Sequence, residues 1–285
     1  MWRAFDPSTR HCIRGDLLYF LNHAALSHVL TFRPNAVNGH LAHPGGKMRL
    51  YIEQPLVHGA RVEATEGQAH YLLHVMRAHV GDRLSLFNGG DGEWLARLAE
   101  TGKHRCVLIC ETQTRPQQNT PDLWLCFAPI KKTPADYLAQ KATELGVSVL
   151  QPVITRRTIV ARVNTQRMSA NAIEAAEQSD RLTVPEVRHP RSLEKLLAEW
   201  PQERRILFAD EAGEASPIAQ ALLGSSCSSW AVLIGPEGGF DAHEREQMRS
   251  HSYVTPVSLG PRILRADTAA LAAVSIWQTT AGDWR

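Results

Sequence analysis

Two stretches near the carboxyl end of the chain carry residue types that suit a ligand site. In the first, Trp230-Ala-Val-Leu-Ile-Gly235-Pro-Glu-Gly-Gly-Phe240-Asp241, an apolar run enters three glycines, and Asp241 with Glu244 three residues on makes the pattern of a helix capping box. Glycines there let the backbone approach a ligand and expose its N–H groups. The stretch reads as a ligand loop or as a plain tight turn. No Lys follows, so it is not a phosphate loop of the G-x-x-x-x-G-K-S/T kind, and it does not match G-x-G-x-x-G. In the second, Leu259-Gly-Pro-Arg262-Ile-Leu-Arg265-Ala-Asp-Thr268-Ala269, two arginines stand beside a glycine just before an apolar helix. They pair with surface carboxylates, or together they meet an anionic substrate. Cys12, Cys106, Cys110, Cys126 and Cys227 show neither C-x-x-C nor a paired zinc-ligand spacing, and no histidine cluster completes a ligand set, so no metal is called for.

Both stretches sit where an apolar run turns into a helix. From 122 onward such runs alternate: strands at 123–127, 149–153, 205–209, 230–234 and 254–259, helices at 134–145, 169–179, 241–251 and from about 268 to 278. Alternation of this kind predicts an α/β domain with a parallel sheet covered on both faces, whose ligands lie beyond the carboxyl ends of the strands. Between 48 and 116 the pattern differs. Short strands at 49–52, 83–87, 93–98 and 105–110, one helix at 68–79 and a glycine-rich turn at 88–92 predict a small β-barrel domain. The polar, proline-flanked stretch 114–121 reads as the linker.

The chain has 285 residues, room for about two domains. Its 31 Lys+Arg against 29 Asp+Glu exclude a uniformly basic coat, so any nucleic-acid site must be local. No apolar stretch approaches the length of a membrane span. An odd cysteine count fits a reducing compartment, so free thiols and a cytoplasmic location are expected. Residues 1–47 match no motif and make a poor signal core. They are expected to form a poorly ordered extension, with Met48 as a natural initiator and a chain starting there still active.

Gly235-Pro-Glu-Gly-Gly-Phe240 together with 259–269 resembles the paired signature of the ribosomal small subunit methyltransferase E family, in the knotted SPOUT superfamily. The likeness extends to 70–77 with Gly81-Asp82, to Leu86-Phe-Asn-Gly-Gly90, to Lys131-Lys132, to Gln140-Lys-Ala-Thr-Glu-Leu-Gly-Val147 and to Glu174-Ala-Ala-Glu-Gln-Ser179 with Arg181. It covers about 48–280. Position 267 is Asp where the family has Glu.

The resemblance implies a PUA-like RNA-binding barrel, 48–116, and an α/β methyltransferase domain, 122–285, whose C-terminal segment threads a trefoil knot. It implies S-adenosylmethionine-dependent methylation of N3 of a uridine in small-subunit (16S) ribosomal RNA, by a homodimer acting on RNA or on the assembled subunit. By matched motif the cofactor residues are Leu233, Gly235, Pro236, Glu237, Gly238, Leu259, Gly260, Leu264, Arg265 and Thr268, and a side chain at Gly238 is expected to block the backbone's approach. Arg265 is the catalytic candidate, because a cation near a uracil oxygen favours the imide anion. Glu237, Asp267, solvent or a phosphate accepts the proton. Arg49, Arg77, Lys131, Lys132, Arg156, Arg157 and Arg262 are the RNA-binding candidates, each of which alone also reads as a solvated charge. Two other readings stand beside this one: another knotted RNA methyltransferase acting on a transfer-RNA base or a ribose 2′-hydroxyl, and a non-catalytic RNA-binding assembly protein.

Overall fold

The computed structural model of the protein describes residues 48–130, 132–160, 162–210, 215–225 and 227–285, so the expected extension 1–47 lies outside the described residues. The first half contains β1 (Arg49–Tyr51), β2 (Arg61–Glu63), α1 (Glu66–His70), β3 (Arg83–Phe87), β4 (Glu93–Thr101) and β5 (Cys106–Arg115). The strands make one sheet in the order β1-β3-β4-β5-β2, with only β1 and β3 parallel. Leu84 and Leu86 of β3, Leu108 of β5, Val62 of β2 and Leu72 close on a single core. The helix expected at 68–79 begins earlier, because Thr65 and Gln68 form a reciprocal capping box. It also changes form. Residues Tyr71–Val75 widen into a π turn, with the Met76 N–H reaching the Tyr71 carbonyl at 2.9 Å, and the chain leaves it at Arg77 with φ +54°. Strand β5 continues through Thr114 and Arg115, which read as linker from sequence. Their polar side chains do not stop the backbone ladder to β4.

The second half contains β6 (Leu123–Phe127), α2 (Lys132–Glu144), β7 (Val149–Ile154), α3 (Thr165–Gln178), β8 (Glu186–Val187), β9 (Arg191–Ser192), α4 (Leu193–Ala198) and β10 (Arg205–Ala209). It continues with β11 (Ser216–Pro217), α5 (Ile218–Leu222), β12 (Trp230–Ile234), α6 (Ala242–Arg249), β13 (Val254–Ser258) and α7 (Ala266–Thr280). The sheet order is β11-β13-β10-β12-β6-β7-β8, with β9 also on β7, and every described pair is parallel. Its central strands are buried on both faces, as their near-continuous apolar runs require. Leu125, Val232, Ile234 and Leu207 pack with helices α2, α3 and α7. Cys126, Leu233, Ile206 and Phe208 pack on the other face with α4 and α6. Among the described residues no helix is long and apolar enough to cross a membrane.

The two halves are bolted together at Arg49, which corrects its reading as a phosphate contact. Its side chain is buried. Nε meets Glu93 at 2.9 Å, and the guanidinium donates to the carbonyls of Ala176 (2.9 Å), Glu177 (3.1 Å) and Arg181 (2.7 Å) while lying 4.5 Å from the Phe87 ring centroid. A cation at the carboxyl end of α3 complements the helix's exposed carbonyls. Arg181 continues the bolt inward by donating to the Thr143 and Val147 carbonyls, and burial pulls its guanidinium pKa down to about 10.

Burial also sorts the cysteines. Cys106, Cys110 and Cys126 are buried, Cys227 is only half-buried, and all four are free thiols. Desolvation pushes Cys126 up to about 12 and raises Cys106 and Cys110. A thiol reagent on the native protein should therefore label Cys227 well before these three, because the thiolate is the nucleophile. Peptide mapping showing early label on Cys126 would contradict the packing.

Candidate active site

Three neighbouring parallel strands, β12, β10 and β13, end side by side, and the chain segments that leave them form one cleft of about 470 Å³. After β12, a turn closed by the Gly239 N–H on the Pro236 carbonyl (2.9 Å) uses φ +66° at Gly239. The turn feeds α6 through the capping box read from the sequence: Asp241 Oδ1 accepts the Glu244 N–H at 2.8 Å and Glu244 Oε2 accepts the Asp241 N–H at 3.1 Å. The Glu244 N–H, and then Arg156, hold the Asp241 carboxyl below its usual range. After β13, Gly260 takes φ +107°, and residues 261–265 run to the start of α7 exposed except for half-buried Leu264. Arg265 stands at the N-cap position of α7 in an extended conformation.

The cleft brings together Gly235, Pro236, Glu237, Leu259, Gly260, Leu264 and Arg265 of the expected cofactor residues, and Arg262 with them. Three others do not line it. Leu233 is fully buried inside the sheet, on the face packed by α4 and α6. Gly238 lies between lining residues Glu237 and Gly239 without lining the cleft itself, and a Cβ built there would meet only Arg157 atoms at an ordinary 3.7 Å. Thr268 is exposed on the first turn of α7, its N–H on the Asp267 carboxylate at 2.8 Å. Neither Arg262 nor Arg265 makes a side-chain hydrogen bond or ion pair with a described residue.

Gly235 is the glycine that the site requires. A Cβ there would lie 2.7 Å from the Phe240 ring, which packs under the loop and edge-on to Phe208. Gly235→Val should displace that ring and the loop above it, weakening S-adenosylmethionine binding at least about tenfold, or about 1.4 kcal/mol, while Gly238→Val stays near the parent affinity. Calorimetry on both variants checks this, and equal losses would overturn it.

Sequence reasoning missed Asp210, Ile234, Phe240, Arg245 and Ile263 in the lining. Asp210 is buried and held by Arg249, with Arg245 at 3.8 Å; two arginines four apart on α6 were the available signal. The doublet Arg156-Arg157 also lands here. The Arg156 N–H donates to Glu244 Oε1 at 2.8 Å, its guanidinium reaches Asp241 at 3.2 Å, and Arg157 donates to the Gly238 carbonyl at 2.8 Å. Both side chains are exposed and clasp the first loop. Arg77 is exposed on the first half, Lys132 opens α2, and Lys131 lies outside the described residues.

Apolar walls from Ile234, Leu259 and Leu264, exposed backbone at two glycine-bearing loops and unpaired arginines at the mouth fit a cofactor with a heterocycle and a charged reaction partner. The known proteins agree with the geometry. A model of the RNA methyltransferase domain matches residues 116–278, and one of the RNA methyltransferase PUA domain matches residues 64–110. The ribosomal RNA small subunit methyltransferase E of Rickettsia conorii is 34% identical over 229 residues, covering 80% of this chain and 93% of that protein. The Bacillus subtilis protein of the same name is 30% identical, covering 80% and 94%. The crystal structure of this methyltransferase from Neisseria gonorrhoeae bound to S-adenosyl methionine superposes with a TM-score of 0.77 at 30% identity, over 84% of this chain and 100% of that one. With one domain model spanning more than half of its length and such relatives matched almost end to end, this chain belongs to the ribosomal RNA small subunit methyltransferase E family.

Proposed function

We propose that the protein transfers a methyl group from S-adenosylmethionine to N3 of a uridine in small-subunit ribosomal RNA. The observation that carries this reading is the single cleft formed by the loops after β12 and β13, with Arg262 and Arg265 unpaired at its mouth. Gly235, Pro236, Glu237, Leu259, Gly260 and Leu264 would hold the cofactor, with the leucines as its apolar contacts and the loop backbone as its hydrogen-bonding partner. The cofactor supplies an electrophilic methyl group. Arg265 holds a uracil oxygen, stabilising the imide anion, so the N3 proton leaves to solvent, to a phosphate or to exposed Glu237 as the N3–methyl bond forms. Residues 48–116 act as the PUA-like RNA-binding barrel and 122–285 as the catalytic domain with its knotted C-terminal segment, in the cytoplasm where the small subunit is made.

Single-turnover reaction with methyl-labelled cofactor and small-subunit RNA, followed by nucleoside mass mapping, tests the assignment. N3-methyluridine is expected. Label on a ribose 2′-oxygen or another base would move the protein to a different knotted methyltransferase activity, and cofactor binding without any transfer would count against catalysis. A homodimer belongs to the same reading. Helix α7 buries Ala270, Ala273, Val274 and Trp277 against its own sheet yet leaves Leu271, Ala272 and Ile276 half-covered, and Ile263 beside it is 90% exposed. Light scattering should give twice the 31.7 kDa chain mass; a monomer at micromolar concentration would refute it.

A further inference from the structure

We propose that a second cleft, at the carboxyl end of β6, seats one nucleotide of the RNA strand; the proposal rests on the functional reading above. The cleft measures about 450 Å³ and opens between β6 and the first turns of α2 and α3. Its floor is apolar, from buried Phe127, Ile130 and Met168, with half-buried Val163 on the wall. Its polar groups are Arg162, Asn164, Asp136 and Arg167. Asp136 is already neutralised: both of its oxygens take the Arg167 Nε–H, at 2.8 and 2.9 Å, and Asn171 donates to it at 3.0 Å. Arg162 is exposed and has no side-chain partner among the described residues. An apolar floor takes the face of a planar base, and an unopposed guanidinium at the rim takes its phosphate. The Asn164 side-chain oxygen already accepts the Arg167 N–H at 3.0 Å, so its NH2 group is left to donate to a base carbonyl. A free anion would not need the apolar floor, and an apolar peptide would not need the arginine.

Position ties this cleft to the first. Strands β6 and β12 are neighbours, and the chain just past β6 continues the pairing, with the Ala128 N–H on the carbonyl of Ile234, which lines the cofactor cleft. One segment also serves both. After β7 it grips the glycine loop through Arg156 and Arg157, and then walls the second cleft with Val160, Arg162, Val163 and Asn164. A nucleotide held there fixes the RNA strand beside the methyl donor, and its seat is mechanically joined to the loop that holds the donor.

The test uses the full chain, fluorescently labelled small-subunit RNA, and two variants chosen for different effects: Arg162→Glu reverses the rim charge, and Val163→Trp fills the cleft. Both should weaken RNA binding at least about tenfold, with S-adenosylmethionine affinity and melting temperature unchanged. RNA carrying 4-thiouridine should crosslink to the peptide 160–168 in the unmodified protein, an outcome that holds even if Val163→Trp misfolds. Loss of RNA affinity in Arg162→Glu alone, with no crosslink to 160–168, would leave only general charge attraction and overturn the seat. Parent-like RNA affinity in both variants would overturn it too. Failure of the unmodified chain to bind the cofactor or methylate RNA would strike the functional reading itself.

Discussion

Replacing Arg265 by alanine is expected to lower single-turnover methylation by about 10²–10³, the scale on which one preorganised donor contributes to a transition state. The reason lies in what this arginine does not do. It is exposed at the mouth of the cofactor cleft, makes no ion pair or side-chain hydrogen bond with a described residue, and does not cap α7 through its side chain. Removing it therefore leaves no buried partner stranded, and stability should hold. Cofactor affinity should change by less than about tenfold, because the proposed cofactor contacts are mostly loop backbone and leucines rather than this side chain. Lysine should rescue only in part, since a point charge cannot reproduce the planar fork. Rate, cofactor affinity and melting temperature measured on one variant decide the matter. A full rate with a lowered melting temperature would make Arg265 structural and return the cation's role to Arg262.

The second large effect is expected far from the cleft. Arg49→Ala removes the cation between the two halves and leaves the buried Glu93 carboxylate without its closest partner, along with three carbonyls at the end of α3. Breaking one side of a buried pair costs about 3–5 kcal/mol, so the denaturation midpoint should fall sharply. Lysine should not restore it, because one ammonium cannot serve a carboxylate and three carbonyls at their separate positions. RNA affinity of the protein that remains folded should match the parent. Unchanged stability with weakened RNA binding would instead make Arg49 the phosphate contact that its charge alone suggests.

Much of the catalytic half was legible from sequence. The central strands β6, β10 and β12 are near-continuous apolar runs, and such runs bounded by helices have few other uses than a parallel sheet covered on both faces. The capping box at Asp241 and Glu244 could be read because all its partners lie within four residues. The two-residue strands β8, β9 and β11 could not. They are too short to carry a period, and pairing to a neighbouring strand alone makes them strands.

By itself, the sequence determined the two-part organisation, the glycine loops and the arginines beside them, because propensity, period and capping act over a few residues. Tertiary structure alone decided what each charge does. Arg49 and Arg77 look alike as letters, yet one is buried against a helix 127 residues away and the other is exposed. Arg157 clasps a carbonyl 81 residues on only because the segment after β7 reaches the loop after β12. The second cleft exists for the same reason. A guanidinium's free energy depends on which carboxylates, carbonyls or water surround it. Strand order sets those surroundings, and strand order is a property of the packed sheet that no local pattern of residues encodes.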